Sequence, residues 1–394
     1  MSEAVADPTP PSGDDDAVLE VRGLHVSFEG RVGLGAGVAG KKASVSRAVD
    51  GVDLTLRRGE VLALAGESGC GKTTLARTIM GLQQPKLGEI RFEGEPLGTS
   101  TKVLREYRRR VQIVFQDPTS ALNPRQTIYE SVAEGLRIHG ITDQDGLSEE
   151  KLVARALARS GLRPPERFYL VYPHELSGGQ RQRVVIAGAL VLEPEIIVAD
   201  EPVSSLDASV RGEILRLMLG LVRDTGVAIL VVTHDLGLAW NIADRVAVMY
   251  LGRIVEQGTT EELLSSPRHP YTRALLSVVL ESAHREAQIL VGEAPDPTRI
   301  PAGCRFHPRC PVVASGEAER MGIEAKCGGE DLALQPVLAA APGSAHVAAC
   351  HAVHAPEQVE AAEAQARAAG AASPEAEIRA AEAGDAEPAA EAEA

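Results

Sequence analysis

The stretch "GESGCGKTT", residues 66–74, decides how the rest of the chain is read. It fits G-x-x-x-x-G-K-[ST] with Gly66, Gly71, Lys72 and Thr73. The glycines let backbone N–H groups turn inward around phosphate oxygens, and a helix beginning there adds its positive end. Lys72 then reaches the β- and γ-phosphates of a nucleoside triphosphate, while the Thr73 hydroxyl ligates magnesium. Glu67, Ser68, Gly69, Cys70 and Thr74 complete the lining of the cradle. Both flanks agree: "EVLALAG" (60–66) is an apolar run of strand length, and "KTTLARTIMGL" (72–82) has helical spacing.

Outward from the cradle, further apolar strands stand at "VQIVFQ" (111–116), "EIIVAD" (195–200) and "VAILVVTHD" (227–235). Strands of this kind separated by helical segments imply an α/β fold, a parallel sheet covered on both faces. Upstream, "VLEVRGLHVSF" (18–28) and "RAVDGVDLTL" (47–56) alternate and read as antiparallel strands, with a Gly- and Ala-rich mobile loop at 29–47. Residues 119–192 read as a helical insertion, with "IYESVAEGLRIHG" and "EEKLVARALARSGL" as its main helices. "RVAVMYLGRIVEQGT" (245–259) reads as a hairpin turning at Leu251–Gly252, followed by a capped short helix at "TEELLSS". The ATPase-like body spans 18–290. Residues 291–354, rich in Pro, Gly, Cys and His, read as a separate appendix that needs something besides a hydrophobic core.

The formal charge of −15 is concentrated at the ends. Residues 1–20 contribute −6 and 355–394 contribute −8, so the interior is near neutral and shows no basic stripe for nucleic acid. The tails 1–17 and 355–394 read as disordered. The longest apolar run, "VAILVV" (227–232), is far short of a membrane span, and the acidic N-terminus does not resemble a secretory signal. Five cysteines in a chain read as intracellular argue against a disulfide framework.

"EIIVADEP" ends an apolar strand in Asp200, placed to ligate magnesium, and Glu201, placed to orient or deprotonate water. "LSGGQRQR" (176–183) puts Ser177, Gly178, Gly179 and Gln180 at the start of a helical stretch. A plain serine N-cap explains it. So does a second anion site, which one chain with one cradle has no use for. Two chains paired head to tail would use it, each cradle closed by the other's serine–glycine turn.

Cradle, "LSGGQ" and "ADEP", in this order, resemble the ATP-binding cassette of ABC transporters over about residues 18–290. The resemblance implies that Gln116 in "FQDP" contacts magnesium or attacking water and couples to a membrane partner. It implies that Asp207 in "SSLD" belongs to the D-loop and that His234 in "VTHD" holds the γ-phosphate. Phe28 is the candidate for stacking on adenine. "GESGCGKTTLAR", "VFQDPTSALNPR", "PHELSGGQRQR", "ADEPVSSLDASVR", "VMYLGRIVEQG", "SSPRHPYTRALL" and "PAGCRFHPRCP" together resemble ATPase subunits of oligopeptide and dipeptide permeases. That implies ATP and Mg²⁺ as cofactors and a second, related ATPase subunit. It also implies two transmembrane permease subunits, an extracytoplasmic binding protein and a peripheral place on the cytoplasmic face of the membrane. Nickel and glutathione importers share these motifs. A soluble ABC ATPase acting on DNA or ribosomes is the reading from another class, but such proteins usually carry two cassettes or a coiled-coil arm.

Cys304, Cys310, Cys327 and Cys350 stand in C-x5-C-x16-C-x22-C, with His307, His346 and His351 nearby. Spacing alone leaves structural zinc, an iron–sulfur cluster and free thiols open. The permease resemblance implies a [4Fe-4S] cluster, with zinc as runner-up.

Overall fold

In the computed structural model the described residues are 16–30, 44–279, 290, 292–337 and 344–355. Nearly all of the two expected tails, and 31–43 of the expected loop, lie outside them. The core sheet is built on β3 (Val61–Ala65), whose five residues are all buried. It is flanked by β10 (Ala228–Thr233) and β11 (Arg245–Tyr250), and continues from β10 through β9 (Ile196–Asp200) to β6 (Val111–Val114). These five strands run parallel, so their carboxyl ends meet along one rim. Apolar runs without alternation are what a sheet covered on both faces requires.

A second, antiparallel sheet pairs β1 (Ala17–Glu29) with β2 (Val45–Arg57) and with β4 (Leu87–Phe92), to which β5 (Glu95–Pro96) is added. Helix α1 (Lys72–Ile79) lies between the two sheets, with Leu75, Ala76 and Ile79 fully buried in a core shared by both. Helix α2 (Thr101–Arg110), capped by Ser100, leads into β6.

The insertion carries α3 (Pro118–Ala121), α4 (Ile128–His139), α5 (Glu149–Arg159) and α6 (Gly178–Leu190). Helix α4 has a capping box between Thr127 and Glu130 and ends at left-handed Gly140. Between α4 and α5 is a two-residue hairpin, β7 (Asp143–Gln144) and β8 (Leu147–Ser148), turning through Asp145 and Gly146 at φ 55° and 74°. That Asp-Gly turn is a hairpin signal that the helical reading of the insertion passed over. Helix α7 (Ala208–Thr225) precedes β10, and α8 (Leu236–Ile242) follows it.

The expected hairpin is β11 with β12 (Arg253–Thr259), turning through Leu251 and Gly252, both at positive φ. Thr259 and Glu262 form the capping box of α9 (Thr260–Ser265), and α10 (Pro270–Val279) follows. The reading of 291–354 as a separate appendix is corrected. Within it, β14 (Val347–Ala348) pairs with β12 and with β13 (Gln335–Pro336), so this region extends the core sheet. Phe306 is 1% exposed in the core that also holds Tyr250 and Tyr271. His346 pairs with the buried Glu256 carboxylate at 2.7 Å. Among the described residues no helix is long and apolar enough to cross a membrane.

One buried ion pair ties the sheets together. The Arg245 guanidinium, at the start of β11, donates to Glu60 Oε1 at 3.0 Å and to the Thr55 carbonyl of β2 at 3.3 Å. Arg245→Met leaves the buried Glu60 carboxylate with only the more distant Arg57 guanidinium at 3.7 Å, and is expected to lower the unfolding free energy by about 3 kcal/mol. Urea denaturation checks this: an unchanged midpoint contradicts it.

Candidate active site

The cradle forms where β3 runs into α1, and its two outer glycines are fixed by space. A Cβ on Gly66 (φ 153°) would lie 2.2 Å from the Met249 carbonyl of β11; on Gly71 (φ 114°) it would lie 2.0 Å from the Ala48 carbonyl of β2. Both contacts are with backbone, so neither yields. Lys72 is buried and its Nζ donates to the Gly66 carbonyl at 2.6 Å and the Glu67 carbonyl at 2.9 Å. The ammonium is thus held at the centre of the loop, on oxygens that phosphate oxygens would replace. Burial pushes the neighbouring Cys70 thiol upward, so it stays protonated.

Thr73 Oγ1 lies 3.5 Å from Asp200 Oδ1 at the end of β9. Burial raises the Asp200 pKa, and the Glu201 charge adds to it; Thr73, Arg77 and Lys72 oppose. A hydroxyl and a poorly compensated carboxylate side by side suit a hard divalent cation, so this pair fits magnesium.

Three further residues meet at the same rim. Glu201 Oε2 accepts from Gln116 Nε2 at 2.9 Å, and Glu201 Oε1 lies 2.9 Å from His234 Nδ1. Glu201 itself sits at φ 48°, a left-handed conformation that costs a non-glycine residue about 1–3 kcal/mol. Its N–H is held by the Val232 carbonyl at 2.9 Å, and its carbonyl accepts from Ser204 Oγ at 3.1 Å. The strained turn aims the carboxylate across the rim. Gln116, Glu201 and His234, from three different strand ends, thus form one hydrogen-bonded group beside Thr73 and Asp200.

Ser177 caps α6, with Ser177 Oγ accepting from Gln180 N at 3.3 Å and Gln180 Oε1 accepting from Ser177 N at 3.0 Å. The cap reading is therefore correct as far as one chain goes. Gly178 faces Leu206 and Gly179 lies against Val210, where a Cβ would come within 2.6 Å. The serine–glycine turn thus packs against the segment holding Asp207, the N-cap residue of α7, and the hydrogen bonds it makes here are local. Phe28 is 44% exposed near the end of β1, opposite Ser46, so it is not a core aromatic.

Sequence reading missed what surrounds the cradle from the C-terminal side. The Tyr271 hydroxyl accepts from Glu67 N at 2.9 Å, and Arg309 makes a two-pronged pair with the Glu67 carboxylate at 2.9 and 3.2 Å. Arg305 binds the Asp50 carboxylate and the Leu251 carbonyl. Both arginines lie in "CRFHPRC", where cysteine spacing held the attention and nothing local marks a salt-bridge partner.

The expected [4Fe-4S] cluster, and zinc after it, are not supported. None of the four cysteines is joined in a disulfide. They are near one another: Cys304 N donates to the Cys327 carbonyl at 2.9 Å, and charge on one thiol acts on the others. Burial pushes Cys304 up to about 11 and Cys350 up to about 12. Yet among the described residues no group of three or more His, Cys, Asp or Glu side chains is placed to hold a metal. The nearby histidines are engaged elsewhere: His307 Nδ1 on the Cys304 carbonyl, His346 on Glu256 and His351 on the Glu330 carbonyl.

Comparison with known proteins agrees with this geometry. Residues 49–204 match the ABC transporter family, and 255–316 match the oligopeptide/dipeptide transporter C-terminal region. The oligopeptide transport ATP-binding protein AppF of Bacillus subtilis is 42% identical over 309 residues, 77% of this chain and 92% of its own length. The dipeptide transport ATP-binding protein DppF of Haemophilus influenzae is 43% identical over 303 residues, 75% of this chain and 89% of its own. Among solved structures, cbiO1 from Clostridium perfringens, part of the ABC transporter complex cbiONQ, superposes with a TM-score of 0.55 at 31% identity. It covers 64% of this chain and 92% of its own. MJ0796, a bacterial ABC transporter cassette solved as a dimer, gives 0.52 at 28% identity, covering 61% and 98%.

Asp200 carries a cost that Thr73, Arg77 and Lys72 offset only in part. Its raised pKa means the folded chain disfavours the carboxylate, so stability is lost as pH rises through the folded value and is fully present below the unfolded one. Asp200→Asn therefore leaves the nucleotide-free protein at least as stable at neutral pH, and removes the additional stabilisation by Mg-ATP. Thermal unfolding with and without Mg-ATP checks both halves; a marked drop in the free protein contradicts the first.

Proposed function

Since this chain belongs to the ATP-binding proteins of the ABC transporter family, in its oligopeptide and dipeptide transport branch, we propose that it hydrolyses Mg-ATP to energise peptide import through separate membrane subunits. The observation that carries the reading is the group Gln116–Glu201–His234, hydrogen-bonded at one rim beside the Lys72 loop and the Thr73–Asp200 pair. It rests on named distances in this chain as well as on likeness.

Magnesium held by Thr73 and Asp200, with Gln116 beside them, would neutralise charge on the triphosphate and polarise its terminal phosphorus. Lys72 leaves its two loop carbonyls for phosphate oxygens, exchanging neutral acceptors for charged ones. Glu201 orients the attacking water and takes its proton; Gln116 and His234 fix the carboxylate from either side. His234, 53% exposed on its side chain, has room to turn toward the γ-phosphate. The lining Gly66, Glu67, Ser68, Gly69, Cys70, Gly71 and Thr74 encloses the phosphates, and Phe28 stacks on the base. Ser177, Gly178, Gly179, Gln180 and Asp207 serve the cradle of a second, related ATPase subunit. The solved dimer of MJ0796 supports that pairing.

Permease subunits are the proposed membrane partners, supplied with peptide by an extracytoplasmic binding protein, with this chain peripheral on the cytoplasmic face. Phe115, next to Gln116, is 45% exposed and Leu170 is 83% exposed. A partner that covers Phe115 would stand one residue from Gln116 of the hydrolytic group.

Glu201→Gln keeps the hydrogen bond to Gln116 but removes the base. It is expected to bind ATP with little change, to remain paired once ATP is bound, and to hydrolyse at least about a hundredfold more slowly. Nucleotide titration and phosphate release on the same preparation check this; turnover at the wild-type rate refutes the assignment.

A further inference from the structure

Glu67 is an acidic side chain in the lining of a site built for a polyanion. One residue past Gly66, it puts a carboxylate on the loop that is to hold a triphosphate. Left alone it would repel the ligand through a poorly screened, half-buried medium. It is not left alone. Arg309 Nη1 donates to Glu67 Oε2 at 2.9 Å and Nη2 to Oε1 at 3.2 Å, while Arg309 keeps 8% of its side chain exposed. Among the described residues the one other acceptor for this guanidinium is the Tyr250 hydroxyl at 3.5 Å, and its Nε is buried without a partner there.

Arg309 is itself held rigidly. It closes the short turn His307–Arg309 between Cys304 and Cys310, with its N–H on the Phe306 carbonyl at 2.9 Å. Phe306 is buried against Tyr250, Tyr271 and His269 at centroid distances of 5.2, 5.4 and 5.7 Å. Arg305, on the other side of Phe306, is anchored on Asp50 and Leu251. Tyr271 completes the grip by accepting the Glu67 N–H. A segment some 240 residues from the cradle therefore fixes both the backbone and the charge of one cradle residue.

We propose that Arg309 is a positioning residue for nucleotide binding: from the cysteine-bearing C-terminal segment it neutralises Glu67 in the phosphate loop. The assignment rests on the Mg-ATP reading of the cradle. It gives that segment a task in the nucleotide cycle which needs no metal at the cysteines.

The test is titration of the full chain with N-methylanthraniloyl-ATP and Mg²⁺, at low and high salt, for wild type, R309M, E67Q and R309M/E67Q. R309M leaves Glu67 charged and unpaired, and is expected to weaken binding about tenfold at low salt. High salt reduces that loss, and E67Q in the same chain restores affinity to within about twofold of wild type, because the repulsive charge is gone. A purely structural role would give none of this rescue. Unchanged affinity in R309M, or a double variant as weak as R309M, overturns the proposal. Wild-type protein that binds no analogue overturns the nucleotide reading and this one with it. Should R309M not fold, R309Q carries the test, since glutamine keeps a hydrogen bond to Glu67 but not the charge. A loss of about threefold that E67Q abolishes supports the proposal, and no loss overturns it.

Discussion

Two missing methyl groups hold this molecule together around its ligand. At Gly66 the loop passes against the Met249 carbonyl of the core sheet, and at Gly71 against the Ala48 carbonyl of the antiparallel sheet. Because neither position tolerates a Cβ, the loop passes tightly between the two sheets. Everything else is arranged about that passage. Helix α1 must fill the gap between the sheets behind it, and β9 and β10, parallel to β3, bring Asp200 and His234 to the same rim. A parallel sheet is the simplest way to bring several chain segments to one edge with their carboxyl ends aligned.

Charge is handled with equal economy. The rim gathers Glu67, Asp200 and Glu201 around a site meant for phosphates. Glu67 is matched by Arg309, and Glu201 is shared by Gln116 and His234. Burial pushes the Asp200 carboxyl up, which suits the cation-binding role proposed for it. The strained backbone of Glu201 belongs to the same logic, since an unstrained turn would aim its side chain elsewhere.

Legibility in the sequence followed the range of each interaction. The cradle, the strand ending in Asp200 and Glu201, the turn at Leu251–Gly252 and the caps at Ser177 and Thr259 are set by neighbours within a few residues. Each appears where the pattern placed it. Strand β4 went unread because only Ile90 among its six residues is buried, so it has no alternation to detect. The two-residue strands β13 and β14 are too short for any periodicity, and this is why 291–354 looked detached. The Arg309–Glu67 pair links positions 242 apart and leaves no trace in either local sequence. At the cysteines the spacing showed proximity correctly but not geometry. The thiols approach one another, while the histidines beside them bind carbonyls and a carboxylate.

In the proposed pairing a second subunit supplies a donor on the far side of the phosphates, and this chain's own serine–glycine turn packs against the Leu206–Val210 segment. The account therefore assigns that turn to the other subunit's nucleotide. The most direct measurement compares Ser177→Arg with wild type twice: ATP affinity of the isolated chain, and steady-state hydrolysis by the assembled transporter. The account predicts affinity unchanged within about twofold and turnover reduced by at least about fiftyfold, as expected when a preorganised donor is lost and a bulky cation replaces it. Turnover at the wild-type rate in the assembled complex would contradict it.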